Sequence, residues 1–504
     1  MTAPRELPIT YDPSVEKGVE IHAERAEDIN ALSDPDEGKT DEERRAIDRK
    51  LMWKVDMWII PWLSFLYLLS FLDRTNIGNA RLAGLEDDLG MKGHDYNNAL
   101  TVFFVSYAIA EAMTNVLLKR LTPRIFFMGI MVLWGFIMTM MGLVTSYGGL
   151  LAARFFLGLA EAGLFPGAAY YLSCWYRRDE IGIRAAIFFS MAALAGSFGG
   201  LLAAAISKMD GVGGKPGWAW IFILEGIGTM IVGFITWWMI SDWPDTARFL
   251  TEDDRLRLRR RLAKDKQSST AEAYDKRHIF AAFRDWKTWG FGLTLVGSEI
   301  ALYAFSLFLP TILAGLGYAG THAQLLSVPP YACAAAITIF TGWVADKTKC
   351  RGYCNMAVAT LGITGFVMLL STENPHVQYA GTFLAAMGIY PTIPNITAWV
   401  ANNIEGVYKR GVVIGIVVGC GNINGIVSAN IYLSSQKPRY WTGHGTVLAA
   451  LTLFLFGGSV LMHVLLRMEN RKRLSGKRDR MHEGKTVDEI WVAGDNRPDF
   501  IYTL

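Results

Sequence analysis

Twelve segments of the chain are long and apolar enough to cross a lipid bilayer as helices, and few folds accommodate such a pattern. A transmembrane helix needs about 20 mostly apolar residues. The runs are too long, and alternate too little, for the strands of a transmembrane barrel. We therefore predict an all-α polytopic membrane protein with twelve spans, at about 55–78, 98–119, 125–145, 148–172, 184–207, 218–241, 286–311, 322–345, 353–371, 377–400, 410–435 and 444–467.

The distribution of charge supports this prediction. Charged residues make up only 19% of the chain, below the roughly 25% of a typical soluble domain. Most of them fall in three stretches, 1–52, 242–287 and 467–504. A disordered chain, a disulfide-rich scaffold and a nucleic-acid-binding domain are excluded, so the expected surroundings are a lipid bilayer and not nucleic acid. The five cysteines lack further ligands at metal-site spacing, and we predict neither a metal site nor a cofactor.

Basic residues in the short loops predict the orientation, because cytoplasmic loops are enriched in Lys and Arg. Such residues follow spans 2, 4, 8 and 10, and they also occur in the central stretch and near the C-terminus. The opposite loops are poor in them, and the first of these loops carries Glu86, Asp87 and Asp88. Both termini and the central loop are therefore predicted to be cytoplasmic.

The central polar stretch divides the spans six and six. Span 4 leads from residues 155–157 to Phe165-Pro166, and span 10 leads in the same order from 382–384 to Tyr390-Pro391. Parallel structural repeats give such an echo. We predict a disordered cytoplasmic tail at 1–52, a six-helix bundle at 53–242, a cytoplasmic loop at 243–285, a pseudo-symmetric second six-helix bundle at 286–468, and a cytoplasmic tail at 469–504.

Twelve spans are also compatible with a channel or a membrane-embedded enzyme. A channel requires selectivity elements, and no loop with that character stands out. The eight histidines are scattered, and the sequence contains no HExxH, GxSxG or P-loop motif. We therefore predict a transporter whose two halves rock against each other, and not an enzyme.

Several motifs resemble one transporter family. Residues 342–347, GWVADK, followed by Arg351, resemble the GxxxD[RK] signature of the major facilitator superfamily. The matching first-half loop keeps the basic residues but lacks the Asp and the Gly. Residues 71–80, 154–166 and 171–176 narrow the resemblance to the anion:cation symporters, specifically the fungal allantoate and nicotinic acid permease branch. The resemblance covers about 50–470 and implies the major facilitator fold.

The resemblance also implies a function. It is proton-coupled import of a small organic carboxylate anion, with nicotinic acid as the first candidate and allantoate, pantothenate, biotin and tartrate as alternatives. The expected protein is a monomer in the plasma membrane, with a vacuolar membrane as the alternative. Two other functions stay open: an uncoupled facilitator or exporter of organic anions, and a nutrient receptor built on a transporter scaffold.

Ionisable side chains inside the spans are the first functional candidates, because burying them in a membrane is costly. Span 4 carries Arg154 and Glu161, which lie seven residues apart on one helix face, about 10 Å along the axis. Span 1 runs the other way and carries Asp73 and Arg74 near its outer end. The two pairs can therefore meet at a similar depth. Structural ion pairs between the spans are the alternative, above all for Arg154 and Asp73.

Each of these charges has an expected role. A guanidinium can hold a carboxylate through two parallel hydrogen bonds, so Arg74 is expected to bind the substrate, together with Arg154. Glu161 is expected to bind the driving proton, with Asp73 as a second proton site or an outer gate partner. Protonating either acid makes the cluster positive and suited to an anion. The resemblance supports these roles, since the acid-sugar symporters of the family place proton-coupling acids and a binding Arg at matching positions.

The second half supplies mainly polar candidates. Tyr303 and Asn395 are expected to contact the substrate from the facing half, with hydrogen bonding between helices as the alternative. Glu299 lies one turn from Tyr303 and is a further candidate. Hydrogen bonding between helices is expected for Asn422 and Asn424. Glu111 and Glu225 are expected to be inner-end or packing partners for basic residues of the loops. Asp346, Lys347 and Arg351 are expected to form a gate that latches helix ends on the cytoplasmic side.

Overall fold

The computed structural model describes residues 35–177, 180–264, 276–318, 321–405, 407–478 and 494–504, and it is built from helices. In the first half, span 1 is Asp41–Leu82, span 2 is Asp95–Arg120, span 3 is Pro123–Met141, span 4 combines Tyr147–Glu161 and Leu164–Ser173, span 5 is Ile181–Ile206, and span 6 is Gly217–Met239. Short helices follow span 1 at Leu85–Asp88 and span 6 at Glu252–Lys264 and Lys276–Arg284.

The second half continues the pattern. Span 7 is Trp286–Gly315, span 8 is Val328–Thr348 after a short helix Thr321–Leu326, span 9 is Arg351–Ser371, span 10 combines Pro375–Ile389 and Thr392–Asn403, span 11 combines Val407–Asn422 and Gly425–Asn430, and span 12 comprises Trp441–Ala449, the π-helical turn Ala450–Phe456 and Gly457–Leu474. Among the described residues, ten helices are long and apolar enough to cross a membrane, and these are all the spans except 2 and 10. The all-helical prediction is confirmed.

Spans 4 and 10 are interrupted where the sequence echo predicts a correspondence. One helix ends at Glu161 and the next begins at Leu164, and in span 10 the pieces meet between Ile389 and Thr392. Proline cannot donate a backbone hydrogen bond, so it is tolerated in the first turn of a helix and disfavoured in its interior. Pro166 lies in such a first turn, and Pro391 directly precedes one. The interruption leaves Glu161 at the end of the first piece of span 4.

The two halves pack in the same way internally. In the first half span 1 packs on span 5 and span 2 on span 4, while in the second half span 7 packs on span 11 and span 8 on span 10. Across the middle, span 5 meets span 8, span 2 meets span 11, and span 1 meets span 7. Following the predicted orientation, we call the end with the basic loops the inner end and the opposite one the outer end.

Span 1 begins earlier than predicted. Its helix starts at Asp41, so the prediction of disorder across 1–52 is wrong for residues 41–52, while residues 1–34 lie outside the described part of the chain. The signal was a capping box: Thr40 Oγ1 accepts a hydrogen bond from Glu43 N, and Thr40 N donates to Glu43 Oε2 at 2.9 Å. Lys54 then pairs with Asp254 at 3.0 Å, which ties this extension to the helix of the central loop.

The C-terminal residues are docked onto the inner end of the second half. Asp495 is fully buried, and its carboxylate accepts from Lys287 Nζ at 2.5 Å and from Lys409 Nζ at 2.8 Å. Burial opposes ionisation of the neighbouring Asp285, but the same two ammonium groups outweigh it and lower the pKa of that carboxyl. Thr503 O accepts from Trp399 Nε1 at 2.8 Å. Residues 494–504 are therefore not a free tail, and residues 479–493 lie outside the described part of the chain.

Asp495→Asn is expected to lower the melting temperature of the purified protein clearly. Removing one member of a buried ion cluster leaves the others without compensation, at a cost of about 3–5 kcal/mol. Asp499 in the same segment is largely exposed and offers a matched control. Melting followed by tryptophan fluorescence should show a decrease for Asp495→Asn and almost none for Asp499→Asn. Equal melting temperatures for the two variants would contradict the docking.

Candidate functional site

A small cavity lies between the two halves, and both of its ends are closed. Its volume is about 10 Å³, close to the space that one water molecule requires. At the outer end, Asn97 Nδ2 on span 2 donates to Ala429 O on span 11 at 2.5 Å. At the inner end, Ile183 N of span 5 donates to Asp346 in the last turn of span 8. The cavity is lined by Tyr67, Ser70, Phe71, Arg74, Tyr107, Phe165, Phe189, Glu299, Leu302, Tyr303 and Asn422.

An ion pair between spans 1 and 4 borders this cavity. Arg74 donates to Glu161 Oε1 from Nη2 at 2.6 Å and from Nε at 3.1 Å, and Ser70 Oγ donates to the same oxygen at 2.6 Å. Glu161 is fully buried and Arg74 is only 5% exposed. Within the described residues, Glu161 Oε2 accepts no hydrogen bond. The structure thus brings together Arg74 and Glu161, as the depth of spans 1 and 4 predicts.

Aromatic rings surround the guanidinium of Arg74. The distances from its Cζ to the ring centroids are 4.8 Å for Tyr107, 5.4 Å for Phe71, 5.5 Å for Phe103 and 5.7 Å for Tyr303. Cations at this distance are attracted to the faces of aromatic rings, and the attraction strengthens when water is excluded. The cavity therefore combines one fixed positive charge with flat apolar walls.

A chain of hydrogen bonds continues from Arg74 into the second half and back. Arg74 Nη1 donates to Tyr303 OH at 3.2 Å, and Tyr303 OH donates to Asn422 Oδ1 at 2.7 Å. Asn422 Nδ2 then donates to Glu111 Oε1 on span 2 at 2.9 Å. Tyr303 thus lies at the cavity as predicted from the sequence. Asn422 forms the hydrogen bonds between helices that were predicted for it. The inner-end role predicted for Glu111 is wrong, because Glu111 links the halves beside the cavity.

Asp73 points into the first half and away from the cavity. Its Oδ2 accepts from Trp134 Nε1 on span 3 at 2.7 Å and from Thr229 Oγ1 on span 6 at 3.0 Å. Its Oδ1 accepts no hydrogen bond within the described residues. Nearby, Asn76 donates to Glu225, so the predicted role of Glu225 as a partner for loop cations is wrong. These two acids form a second buried acidic region within the first half.

Arg154 does not line the cavity. Its side chain is 1% exposed, and its guanidinium lies 6.0 Å from the ring centroid of Phe103. Its Nε and Nη2 have no hydrogen-bond partner among the described residues. Phe103 thus lies beside both Arg74 and Arg154, and the substrate contact of Arg154 stays a prediction.

The gate candidates cluster at the inner end. Asp346 Oδ2 accepts from Ile183 N at 2.6 Å, in the first turn of span 5, where the helix leaves its N–H groups free and favours negative charge. Arg351 pairs with Asp346 and also donates from Nη1 to Asn395 Oδ1 at 3.0 Å. Asn395 is thus a member of the inner cluster and does not line the cavity, while its contact with the substrate stays a prediction. Lys347 is exposed and lies over the ring of Trp343.

Comparisons with known proteins identify the family. The sequence model that describes the major facilitator superfamily matches residues 63–429. The chain belongs to the major facilitator superfamily. It is therefore a secondary transporter of the membrane and not an enzyme. Its helices superimpose on those of a bacterial homologue of the human lysosomal transporter Spinster, crystallised in an inward-facing conformation, with a TM-score of 0.59 and 15% identity over 82% of this chain and 95% of that one.

Sequence relatives of this transporter come from fungi. It is 36% identical to the MFS-type transporter cnsO of Penicillium expansum, over 90% of each chain. It is 29% identical to the high-affinity nicotinic acid transporter of Saccharomyces cerevisiae, over 98% of this chain and 91% of that one. These similarities cover both halves of the superfamily fold.

Gly182 at the inner gate yields a prediction about the closure of the transporter. A Cβ at this position would overlap Asp346 Oδ1 and Arg351 Nη2, so Gly182→Ala is expected to open the inner end. A cysteine replacing Leu302, which lines the cavity, would report the opening in an otherwise cysteine-free protein. Its labelling by a membrane-impermeant maleimide from the inner side should become several-fold faster.

The matched control for this gate experiment is Gly129→Ala. No atom lies within 4 Å of a Cβ built on Gly129 in span 3, so the labelling rate should stay at the parental value. An unchanged rate in Gly182→Ala would contradict the role of the Asp346 cluster in holding the inner end closed.

Sequence reasoning underused one signal in this site. Glu111 and Glu299 are ionisable residues within spans, as Glu161 is. The cost of burying them in a membrane indicates a functional role in the same way. Treating all span glutamates alike would have placed both among the primary candidates. For Asn422 no comparable signal exists, because neutral amides are common in contacts between membrane helices.

Proposed function

We propose that this transporter is a proton-coupled importer of a small organic carboxylate anion, with nicotinic acid as its first candidate substrate. The proposal rests on the hydrogen bonds that Arg74 makes to Glu161. The edge of its guanidinium that would hold a carboxylate through two parallel hydrogen bonds is occupied by Glu161. A substrate carboxylate and the Glu161 carboxylate therefore compete for the same donors.

This competition provides a mechanism of coupling. A second carboxylate cannot enter beside an ionised Glu161 without leaving one buried negative charge uncompensated, which is strongly unfavourable. A proton on Glu161 removes the conflict, and Oε2 is the oxygen available for it because Oε1 already accepts three hydrogen bonds. Protonation of Glu161 and binding of the substrate therefore favour each other. Asp73, whose Oδ1 is also available, is retained as a second proton site.

The walls of the cavity support an aromatic substrate. Tyr107 and Tyr303 lie near the guanidinium of Arg74, where they could stack on a flat ring carrying a carboxylate. One relative over nearly the full chain is named as a high-affinity nicotinic acid transporter, which agrees with the resemblance to the fungal allantoate and nicotinic acid permease branch. Allantoate, pantothenate, biotin and tartrate remain alternative substrates within the same class.

The direction of transport follows from the predicted orientation. Basic loops on one side favour a cytoplasmic inner end, and we propose the plasma membrane as the location. A more acidic exterior would protonate Glu161 while the cavity is open outward. The more alkaline interior would remove the proton, so Glu161 would recapture Arg74 and release the substrate.

The test is uptake in cells that lack their own carriers. Labelled nicotinate, allantoate, pantothenate, biotin and tartrate are supplied at two external pH values, with and without a protonophore. Accumulation of at least one acid, higher at the lower pH and abolished by the protonophore, is the expected result. Uptake that only equilibrates would indicate the uncoupled facilitator instead, and transport of none of these acids would contradict the proposed substrate class.

A further inference from the structure

Glu299 is a second acidic group at the cavity, and the proposed coupling mechanism does not use it. It lies on span 7 of the second half, four residues before Tyr303, and lines the same cavity as Arg74 of the first half. Its side chain is only 5% exposed, and its Oε2 accepts no hydrogen bond within the described residues. Burying a carboxylate oxygen without a hydrogen-bond donor costs free energy. The position of Glu299 at the cavity therefore indicates that a molecule bound there supplies the donor.

From this geometry we propose that Glu299 binds a hydrogen-bond donor or a positively charged nitrogen on the substrate, at a distance from the substrate carboxylate. The inference rests on the proposed function and narrows its substrate class. The preferred substrate is then a compact acid that carries an N–H or ammonium group as well as its carboxylate. Arg74 and Glu299 face it from opposite halves.

The balance of charge in the cavity supports this class. With substrate bound and Glu161 protonated, Arg74 is neutralised by the substrate carboxylate, and Glu299 is left as a buried negative charge. A positively charged nitrogen on the substrate cancels that charge. A simple monocarboxylate leaves Glu299 uncompensated, and its binding would require a second proton on the protein. A substrate bearing both groups therefore needs only the one proton that releases Arg74.

Gly421 in span 11 leaves the space that the side chain of Glu299 occupies. A Cβ built on Gly421 would lie 2.8 Å from Glu299 Cγ and 3.2 Å from Leu295 Cδ2. Any larger residue at position 421 would push Glu299 out of its place beside the cavity. Gly421→Ala therefore displaces the carboxylate while keeping its charge, whereas Glu299→Gln removes the charge while keeping the shape. The two variants test the same inference independently.

Two pairs of ring acids make the test specific for the nitrogen. Piperidine-3-carboxylate, whose ring nitrogen is protonated, is compared with cyclohexanecarboxylate. Nicotinate, whose ring nitrogen carries no hydrogen at neutral pH, is compared with benzoate as the control pair, and each pair differs by one ring atom. Their affinities are measured by competition on the purified full-length transporter. Piperidine-3-carboxylate is expected to bind at least about tenfold more tightly than cyclohexanecarboxylate, the value of one hydrogen bond to a charged group. Nicotinate should gain no such advantage over benzoate.

In Glu299→Gln and in Gly421→Ala the preference for piperidine-3-carboxylate over cyclohexanecarboxylate should fall to nearly one, while binding still depends on Arg74. Glu225→Gln, which removes a buried span carboxyl outside the cavity lining, should retain the parental preference. Equal binding of piperidine-3-carboxylate and cyclohexanecarboxylate by the parental protein, or an unchanged preference in Glu299→Gln, would overturn the inference alone. Failure of these four acids, and also of allantoate, pantothenate, biotin and tartrate, to bind would overturn the proposed function and, with it, the inference.

Discussion

Arg74→Ala is expected to reduce nicotinate binding by at least about 100-fold. The guanidinium is the cation of the cavity lining, and two hydrogen bonds to a charged group, at about 1.5–3 kcal/mol each, correspond to a loss of that size or larger. Arg74→Lys keeps the charge but loses the planar fork, and a smaller loss of about tenfold is expected. Equilibrium binding of labelled nicotinate to the purified transporter measures both effects.

A separate variant distinguishes lost binding from lost folding. Arg74→Ala alone leaves Glu161 buried without its cation, which destabilises the protein as well as the site. The double variant Arg74→Ala/Glu161→Gln removes both charges, so its melting temperature should recover much of the loss while nicotinate binding stays absent. Parental affinity in either variant would contradict the assignment of Arg74 as the carboxylate-binding residue.

Glu161→Gln is expected to abolish accumulation of the substrate while leaving exchange intact. Glutamine imitates the protonated acid in shape and charge and can still accept hydrogen bonds from Ser70 and Arg74, but it cannot release a proton. Uptake down a gradient and exchange of internal for external substrate should therefore persist, and nicotinate affinity should lose its pH dependence. The ratio of internal to external label at steady state should fall from well above one to about one.

The control for Glu161→Gln is Glu86→Gln. Glu86 pairs with Arg81 at the outer end and takes no part in the proposed coupling, so accumulation and its pH dependence should stay at parental levels. Accumulation against a gradient by Glu161→Gln, with the parental pH dependence, would show that another group couples the proton. Asp73 would then be the next candidate.

The helices of this fold could be predicted because their signal is local. Length and hydropathy of each segment decide whether it can cross a bilayer, and ten of the predicted spans meet that condition in the structure. Pro166 and Pro391 mark the interruptions of spans 4 and 10 because proline changes the local backbone directly. The early start of span 1 was also encoded locally, in the capping box of Thr40 and Glu43, and could have been predicted from the sequence.

The candidate site was predictable only in part. Arg74 and Glu161 stand out because the cost of burying charge in a membrane does not depend on the details of the fold. The direction of each side chain around its helix axis is a different matter, since it depends on which helices pack on that face. Arg154 and Asn395 therefore lie elsewhere than expected, whereas Glu111 and Asn422 lie beside the cavity.

The position of the docked C-terminal segment was even less predictable from the sequence. Asp495 is a polar residue in a polar stretch, and its sequence neighbours give no sign that it is buried. Its place is decided by Lys287 and Lys409, which lie 208 and 86 residues away in the chain. The two ammonium groups compensate for the burial of the carboxylate, and they converge on it only in the folded protein.

The sequence by itself determined the class of this protein and its division into six and six spans. It also identified the charged residues inside the spans, whose burial is costly and therefore indicates function. These features were predictable because hydropathy and desolvation act on each segment separately. The tertiary structure alone decided which of those charges face the common cavity. It paired Arg74 with Glu161, turned Asp73 into the first half and placed Glu299 opposite Arg74, because these arrangements depend on the rotation and contact of helices from distant parts of the chain.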